Sequence, residues 1–248
     1  MKLQSANFRF YEELNDFLPG ENHKCTIEYR FKGRPAIKDS IEAQGVPHTE
    51  VDLIVVDGES VDFSYGLKNG DRVAVYPVFE SFDITPIVRL REKPLRNTAF
   101  VVDVNLGKLA RRLRMLGFDA AYSNYSNDQQ IVDLAVNEKR IVLTRDRRLL
   151  FRKAVTHGCW IRSVEVGAQI QEVLDRFDLH QLINPFNRCL DCNGTIKPVT
   201  EKARIWSRLE PLTRRYYTDF YHCVGCDKIY WEGSHVKNMH KVIQQLRI

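Results

Sequence analysis

Three acidic residues and four cysteines carry the chemistry that this sequence offers. Asp103 immediately follows the apolar run AFVV, and Asp146 follows IVLTR. Each reads as an acid at the carboxyl end of a buried strand, where open parallel α/β sheets place their ligand sites. On that reading the two acids share one rim although they lie 43 positions apart. Asp128 opens the intervening helix-like stretch and would reach the rim from the side. Converging carboxylates form a hard oxygen site suited to Mg²⁺ or Mn²⁺. Such ions lower the pKa of a bound water and neutralise a phosphate. A plainer role stands beside this one for each acid. Asp103 and Asp146 precede helices, where Asp caps free backbone N–H groups. Asp128 sits in a first turn, where the helix dipole favours an acid, and Ser126 with Gln129 forms a capping-box pattern there.

Basic residues begin beside two of these acids. After Asp103, Lys108, Arg111 and Arg112 fall at i, i+3 and i+4, opposite a leucine face. Arg145, Arg147 and Arg148 flank Asp146. Exposed helical cations commonly form a solvated face, but cations next to a metal site fit contact with a phosphate backbone.

The motifs CLDC and CVGC place Cys189, Cys192, Cys223 and Cys226 in two C-x₂-C pairs with 30 residues between them. This spacing fits a zinc ribbon with an elaborated middle. Tetrahedral Cys₄ coordination leaves no open position, so the zinc would be structural. In so small a segment the metal would contribute on the order of 10 kcal/mol to folding. Its loss should unfold residues 187–240 and leave the sheet domain folded. His222 offers an alternative ligand, although four thiolates already complete the site. Between the pairs, Lys and Arg alternate with aromatics, the composition of a surface that stacks bases and grips phosphates. Arg214 and Arg215 are the expected contacts, and about half of the aromatics are expected to form the ribbon's small core. Cys25 and Cys159 stand alone and read as buried reduced thiols.

The elements that must position these groups fall into four stretches. Residues 1–83 alternate as strands around one helix: CTIEYRF puts Cys25, Ile27, Tyr29 and Phe31 on alternate positions, Gly45 stops the helix, and Asp-Gly and Asn-Gly mark turns. Residues 84–97, with two prolines and four basic residues, read as a linker. Residues 98–186 alternate short apolar strands with helices, the pattern of a parallel sheet with right-handed crossovers. Residues 187–248 hold the cysteines. Charge divides unevenly: residues 1–83 carry 9 Lys/Arg against 15 Asp/Glu, residues 84–186 carry 17 against 11, and residues 187–248 carry 11 against 6. The basic remainder points to a polyanion partner, with an intramolecular charge match between domains as the alternative. No apolar run reaches the roughly 18 residues of a membrane span, and the opening MKLQSANFRFYEEL lacks an apolar signal core. A cytoplasmic protein without a membrane partner is expected.

The motifs VVDVNLGKLARRLRMLGFDAAY, RIVLTRDRRLL, the paired cysteines and YWEGSH together resemble the Mut-seven C-terminal RNase family, a PIN-like nuclease branch carrying its own zinc ribbon. The resemblance covers roughly residues 98–240. The acidic front, ending in NGDRVAVYP, is similar to the ubiquitin-like β-grasp domain that often precedes this nuclease. The resemblance implies an α/β fold class: a β-grasp domain, a PIN-like parallel sheet and a zinc ribbon. By motif, Asp103 matches the first-strand acid, Asp146 the acid of the "TRD" signature, and Asp128 the middle acid. It also implies Mg²⁺- or Mn²⁺-dependent hydrolysis of RNA, with Lys108, Arg145 and Arg147 near the scissile phosphate. His235, within YWEGSH, gains a role at RNA, where pattern alone makes it a surface histidine. Sulfur carriers of the β-grasp fold end in a free Gly-Gly tail, whereas here the chain runs on through Glu80 and Ser81, so the front reads as a docking module for a protein partner. The competing expectation is a non-catalytic RNA-binding adaptor that uses the ribbon and the β-grasp domain as its surfaces.

Overall fold

The structure, a computed structural model, describes residues 2–77 and 98–246; the expected linker at 84–97 lies outside the described residues. By its contacts the chain divides into two compact units, Met1–Asn97 with Asp128–Trp160, and Thr98–Asn127 with Ile161–Ile248.

In the first unit, β1 (Leu3–Phe10) and β2 (Thr26–Lys32) pair antiparallel, followed by α1 (Ile37–Ala43), β3 (Leu53–Val56), β4 (Glu59–Val61) and β5 (Arg72–Tyr76). The sheet order is β2-β1-β5-β3-β4, with β1 and β5 parallel at its centre. Alternation in β1 turns Ala6, Phe8 and Phe10 inward. There they meet Ile37 and Ile41, one turn apart on α1, together with Ile54, Val73 and Val75. Asp57 and Gly58 both take positive φ in the tight turn between β3 and β4, the backbone hand that matches strand twist in a two-residue hairpin.

Two further strand pairs follow: β6 (Ala99–Val102) and β7 (Asp119–Ala121) in the second unit, and β8 (Ile141–Thr144) and β9 (Gly158–Trp160) in the first. β6 pairs with β7 and β8 with β9 in parallel. Within the second unit α2 (Gly107–Met115) buries Leu109, Ala110 and Leu113 on one face. Gly117 ends it at φ 98°, where a Cβ would lie 1.9 Å from the Asn184 carbonyl oxygen, so a larger residue has no room. Within the first unit, α3 (Asp128–Asn137) and α4 (Arg147–Leu150) flank β8.

Two elements are shorter than their sequence pattern predicts. RRLLFRKAV forms a single turn, because Val155 is fully buried and its carbonyl accepts from His48. CWIRSV pairs only as far as Trp160, since the Arg162 and Ser163 amides donate to the Glu172 carboxylate on α5 (Val166–Arg176) instead of to a ladder.

The C-terminal part of the second unit is a three-stranded antiparallel sheet in the order β10-β11-β12, formed by Ile196–Pro198, Phe220–Cys223 and Ile229–Trp231, with α6 (Pro211–Tyr216) and α7 (Ser234–Leu246). Its core is small: Ile205, Leu209 and Phe220, flanked by Tyr217, Ile229 and Trp231.

Candidate functional site

The four cysteines meet. Their sulfurs all lie within 4.8 Å of one another, with Cys189–Cys226 at 3.6 Å and Cys192–Cys223 at 3.3 Å. A tetrahedral zinc with Zn–S bonds of about 2.3 Å implies sulfur separations of roughly 3.8 Å, so the donor set fits that ion. Amides of the two knuckles point at the sulfurs: Cys192 N–H toward Cys189 Sγ, Gly194 N–H toward Cys192 Sγ, and Gly225 N–H toward Cys223 Sγ. Tyr230 adds a hydroxyl 3.0 Å from Cys189 Sγ. Burial opposes ionisation of Cys189, but these donors outweigh it and hold the thiol at about 6. Burial and the neighbouring thiols push Cys192 up to about 12. Four sulfurs this close, met by backbone N–H donors, form a donor set that a single metal ion could bind. His222 takes no part; its Nδ1 lies 3.7 Å from Asp227.

The first knuckle is bolted to β7. Arg114 of α2, 3% exposed, donates from Nε to the Ala120 carbonyl at 2.8 Å and from Nη1 to the Leu190 and Asp191 carbonyls at 3.1 and 2.7 Å. Asn193, in the left-handed region at φ 68°, accepts from the Ala120 amide and donates to Asp119, which also pairs with Arg188 at 3.2 Å. β7 is an edge strand, and these contacts cover an otherwise open ladder. Sequence patterning assigned Arg114 no role, because an arginine within a helix ordinarily reads as a surface cation.

The three acids sit in different surroundings. In the second unit, Asp103 follows β6 and is 5% exposed. Its backbone carbonyl accepts from Leu106, but its side chain does not cap the short helical turn that follows, so capping does not account for it. That turn is held by Tyr122, whose hydroxyl donates to the Val104 carbonyl at 3.0 Å. The ring lies so close to Gly107 that a Cβ there would come within 2.4 Å of the hydroxyl oxygen. In the first unit, Asp146 does cap: its Oδ1 accepts from the Arg148 amide at 2.9 Å, and its own amide donates to the buried Thr144 hydroxyl. Arg148 approaches the same carboxylate at 3.7 Å. Asp128 is exposed in the first turn of α3, 4.0 Å from Arg152. Among the described residues, the grouping of ligating side chains with metal geometry is that of the four cysteines.

Of the expected phosphate contacts, Lys108, Arg111, Arg145 and Arg148 are exposed and Arg112 is half-buried, with Nη1 3.8 Å from Met115 Sδ. Arg147 departs from expectation. Its guanidinium lies 4.8 Å from the ring centroids of both Phe17 and Trp160 and donates to the Phe17 carbonyl at 2.8 Å. On the ribbon, Trp206, Tyr216 and Tyr221 are exposed while Phe220 is buried, and Tyr217 and Trp231 are half-buried, so the aromatics divide much as expected. Arg214 lies over Trp206 and is anchored to the Leu209 carbonyl; Arg215 lies over Tyr216. His235 falls in the first turn of α7, and its side chain lies outside the described residues.

A ubiquitin-like sheet, parallel α/β strands ending in acids and a ribbon with four clustered cysteines define a multidomain α/β protein with a cysteine cluster that could hold a metal ion. The model described as "Mut7-C RNAse domain" matches residues 98–243, and that described as "Mut7-C ubiquitin" matches residues 3–83. The chain therefore belongs to the Mut7-C RNAse family, with the ubiquitin-like domain in front, and its larger domain is of nuclease type. No curated protein matches the chain. No helix among the described residues is long and apolar enough to cross a membrane.

Proposed function

We propose that the chain is a metal-dependent ribonuclease hydrolysing phosphodiester bonds in single-stranded or structured RNA. The supporting observation is the buried Asp103 carboxylate at the end of β6, placed where the following turn makes no use of it as a cap. The carboxyl end of a strand is where parallel α/β sheets place their ligand sites. Asp103 and Asp146 would hold Mg²⁺ or Mn²⁺, and Asp128 would support a second ion or orient water. Their carboxylate oxygens suit such ions. Bound there, the ion would supply a more acidic water and charge neutralisation at the phosphate. The chain's own part is to orient and grip the RNA. Arg145 and Arg148 beside Asp146, and Lys108, Arg111 and Arg112 beyond Asp103, would contact phosphates. Arg214 and Arg215, each stacked on an exposed aromatic, would bind the strand at a distance, and His235 would belong to the same RNA surface. Water attack would break one P–O bond and leave a 5′-phosphate and a 3′-hydroxyl. The Cys₄ zinc has no open position and would be structural.

The exposed Trp206 and Tyr216 with their stacked arginines favour one other reading, an RNA-binding adaptor without catalysis. Cleavage of end-labelled single-stranded RNA and total tRNA with Mg²⁺ or Mn²⁺, by the wild type and by Asp146→Asn, decides between them. Folded Asp146→Asn protein should bind RNA and cut at least about 100-fold more slowly. If neither protein cuts while both bind equally, the adaptor reading replaces the enzyme. EDTA is a poor control because it also strips zinc.

A further inference from the structure

Three consecutive polar residues of the ubiquitin-like domain, His48, Thr49 and Glu50, are 5%, 2% and 0% exposed. Each makes a hydrogen bond outside that domain, to the stretch 128–160 in the same unit. His48 Nε2 donates to the Val155 carbonyl at 2.8 Å, and Thr49 Oγ1 donates to the Leu150 carbonyl at 3.4 Å. Glu50 Oε1 accepts from the Trp160 amide at 2.5 Å. Burying three polar side chains in a domain this small is costly unless each is satisfied, so this face is shaped for the strand and turn it meets.

Beside it lies the cage around Arg147. The Phe17 and Trp160 rings are 5.1 Å apart at 47°, and the guanidinium sits 4.8 Å from both. Phe17 is itself fixed, since buried Asn15 donates to the Phe10 and Glu12 carbonyls and accepts from the Lys24 amide across the same turn. Arg147 is the residue between Asp146 and Arg148, whose amide the Asp146 carboxylate caps. Holding the Arg147 side chain therefore holds the peptide that orients that carboxylate.

We propose that Arg147, caged by Phe17 of the ubiquitin-like domain and by Trp160, is the positioning residue for Asp146, so that this domain serves the nuclease as an internal clamp. The functional half of the inference rests on the ribonuclease reading above; the structural half does not. A planar guanidinium can stack on two rings and donate to a carbonyl at once, and an ammonium cannot. Arg147→Lys should therefore fail to restore what Arg147→Ala removes.

The test is amide hydrogen exchange on the full zinc-loaded chain, comparing wild type, Arg147→Ala, Arg147→Lys and Phe17→Leu, the last keeping an apolar side chain in place. Exchange at the Arg148 and Leu149 amides should quicken about tenfold in all three variants, with β1 and β5 unchanged. RNA cleavage should lose kcat with little change in KM. Unchanged exchange at Arg148 and Leu149 overturns the clamp whatever the activity. A raised KM at constant kcat in Arg147→Ala, with Phe17→Leu normal, would make Arg147 a phosphate contact instead. If the wild type cuts no RNA but the exchange result holds, the clamp stands and the ribonuclease reading fails.

Discussion

His180 shows how much a single ring can fasten. Its Nδ1 donates to the Leu246 carbonyl at 2.8 Å and its Nε2 meets Asp175 Oδ1 at 2.7 Å. Both partners accept, so the doubly protonated ring suits them best, and a cation also suits the end of a helix. The Leu246 carbonyl first, and Asp175 with it, raises the histidine above its ordinary value. A raised folded-state pKa gives stability that is complete below the unfolded value near 6.5 and is lost as pH climbs through the folded value. The last turn of α7 should accordingly lose amide protection as pH rises above the ordinary histidine value near 6.5, and His180→Gln should flatten that dependence. Asp175 is half exposed, so added salt should weaken its share. A pH-independent α7 in the wild type would remove the argument. None of this was visible in the sequence, where His180 and Leu246 stand 66 positions apart.

At the scale of elements, the ribbon and the α/β part of the second unit are one structure. The spacing of CLDC and CVGC told of the four-cysteine cluster, since C-x₂-C knuckles form their amide-to-sulfur bonds locally. It could not tell what the first knuckle rests on. Arg114 is pulled below its ordinary value by burial and is answered by the carbonyls of Leu190 and Asp191 within that knuckle. The sequence pattern predicts that zinc loss unfolds residues 187–240 alone. The contacts argue for a wider effect: without the knuckle, Arg114 and the Ala120 amide lose their partners, at about 1–3 kcal/mol each. Zinc removal should quicken exchange in β7 and the C-terminal half of α2 as well as in the ribbon, and Arg114→Met should weaken zinc retention. Protection of β7 that survives chelation would restore the independent ribbon. The strands of the β-grasp sheet were legible for a related reason. Alternation, the Asp-Gly turn and Gly45 are local signals, whereas the lengths of α4 and β9 depend on His48 and Glu172, partners distant in the chain.

For the whole molecule, the division into units cuts across the family's domain boundary: the stretch 128–160 clusters with the ubiquitin-like domain, although it falls inside the RNAse match at 98–243. Its carboxyl-terminal strand leans on that domain through Trp160, which joins the domain's own apolar core. Sequence patterning missed this because the contact face consists of His48, Thr49 and Glu50, residue types that ordinarily signal a solvated loop. On the reading proposed above, the front domain would serve as part of the nuclease scaffold, beyond any docking it does. Residues 98–248 expressed alone should fold poorly. Removing the partners of the Val155 and Leu150 carbonyls and of the Trp160 amide costs about 1 kcal/mol apiece. A loss of roughly 3 kcal/mol lowers Tm by about 10 °C for a chain of this size. Exposure of Trp160 and Val155 should also make the fragment bind a hydrophobic dye that the full chain ignores. Adding residues 1–83 in trans should recover part of both, and recover less when His48 and Glu50 are replaced by Ala. A fragment as stable as the full chain would show that the polar face is incidental and return the front domain to the role of a detachable docking module.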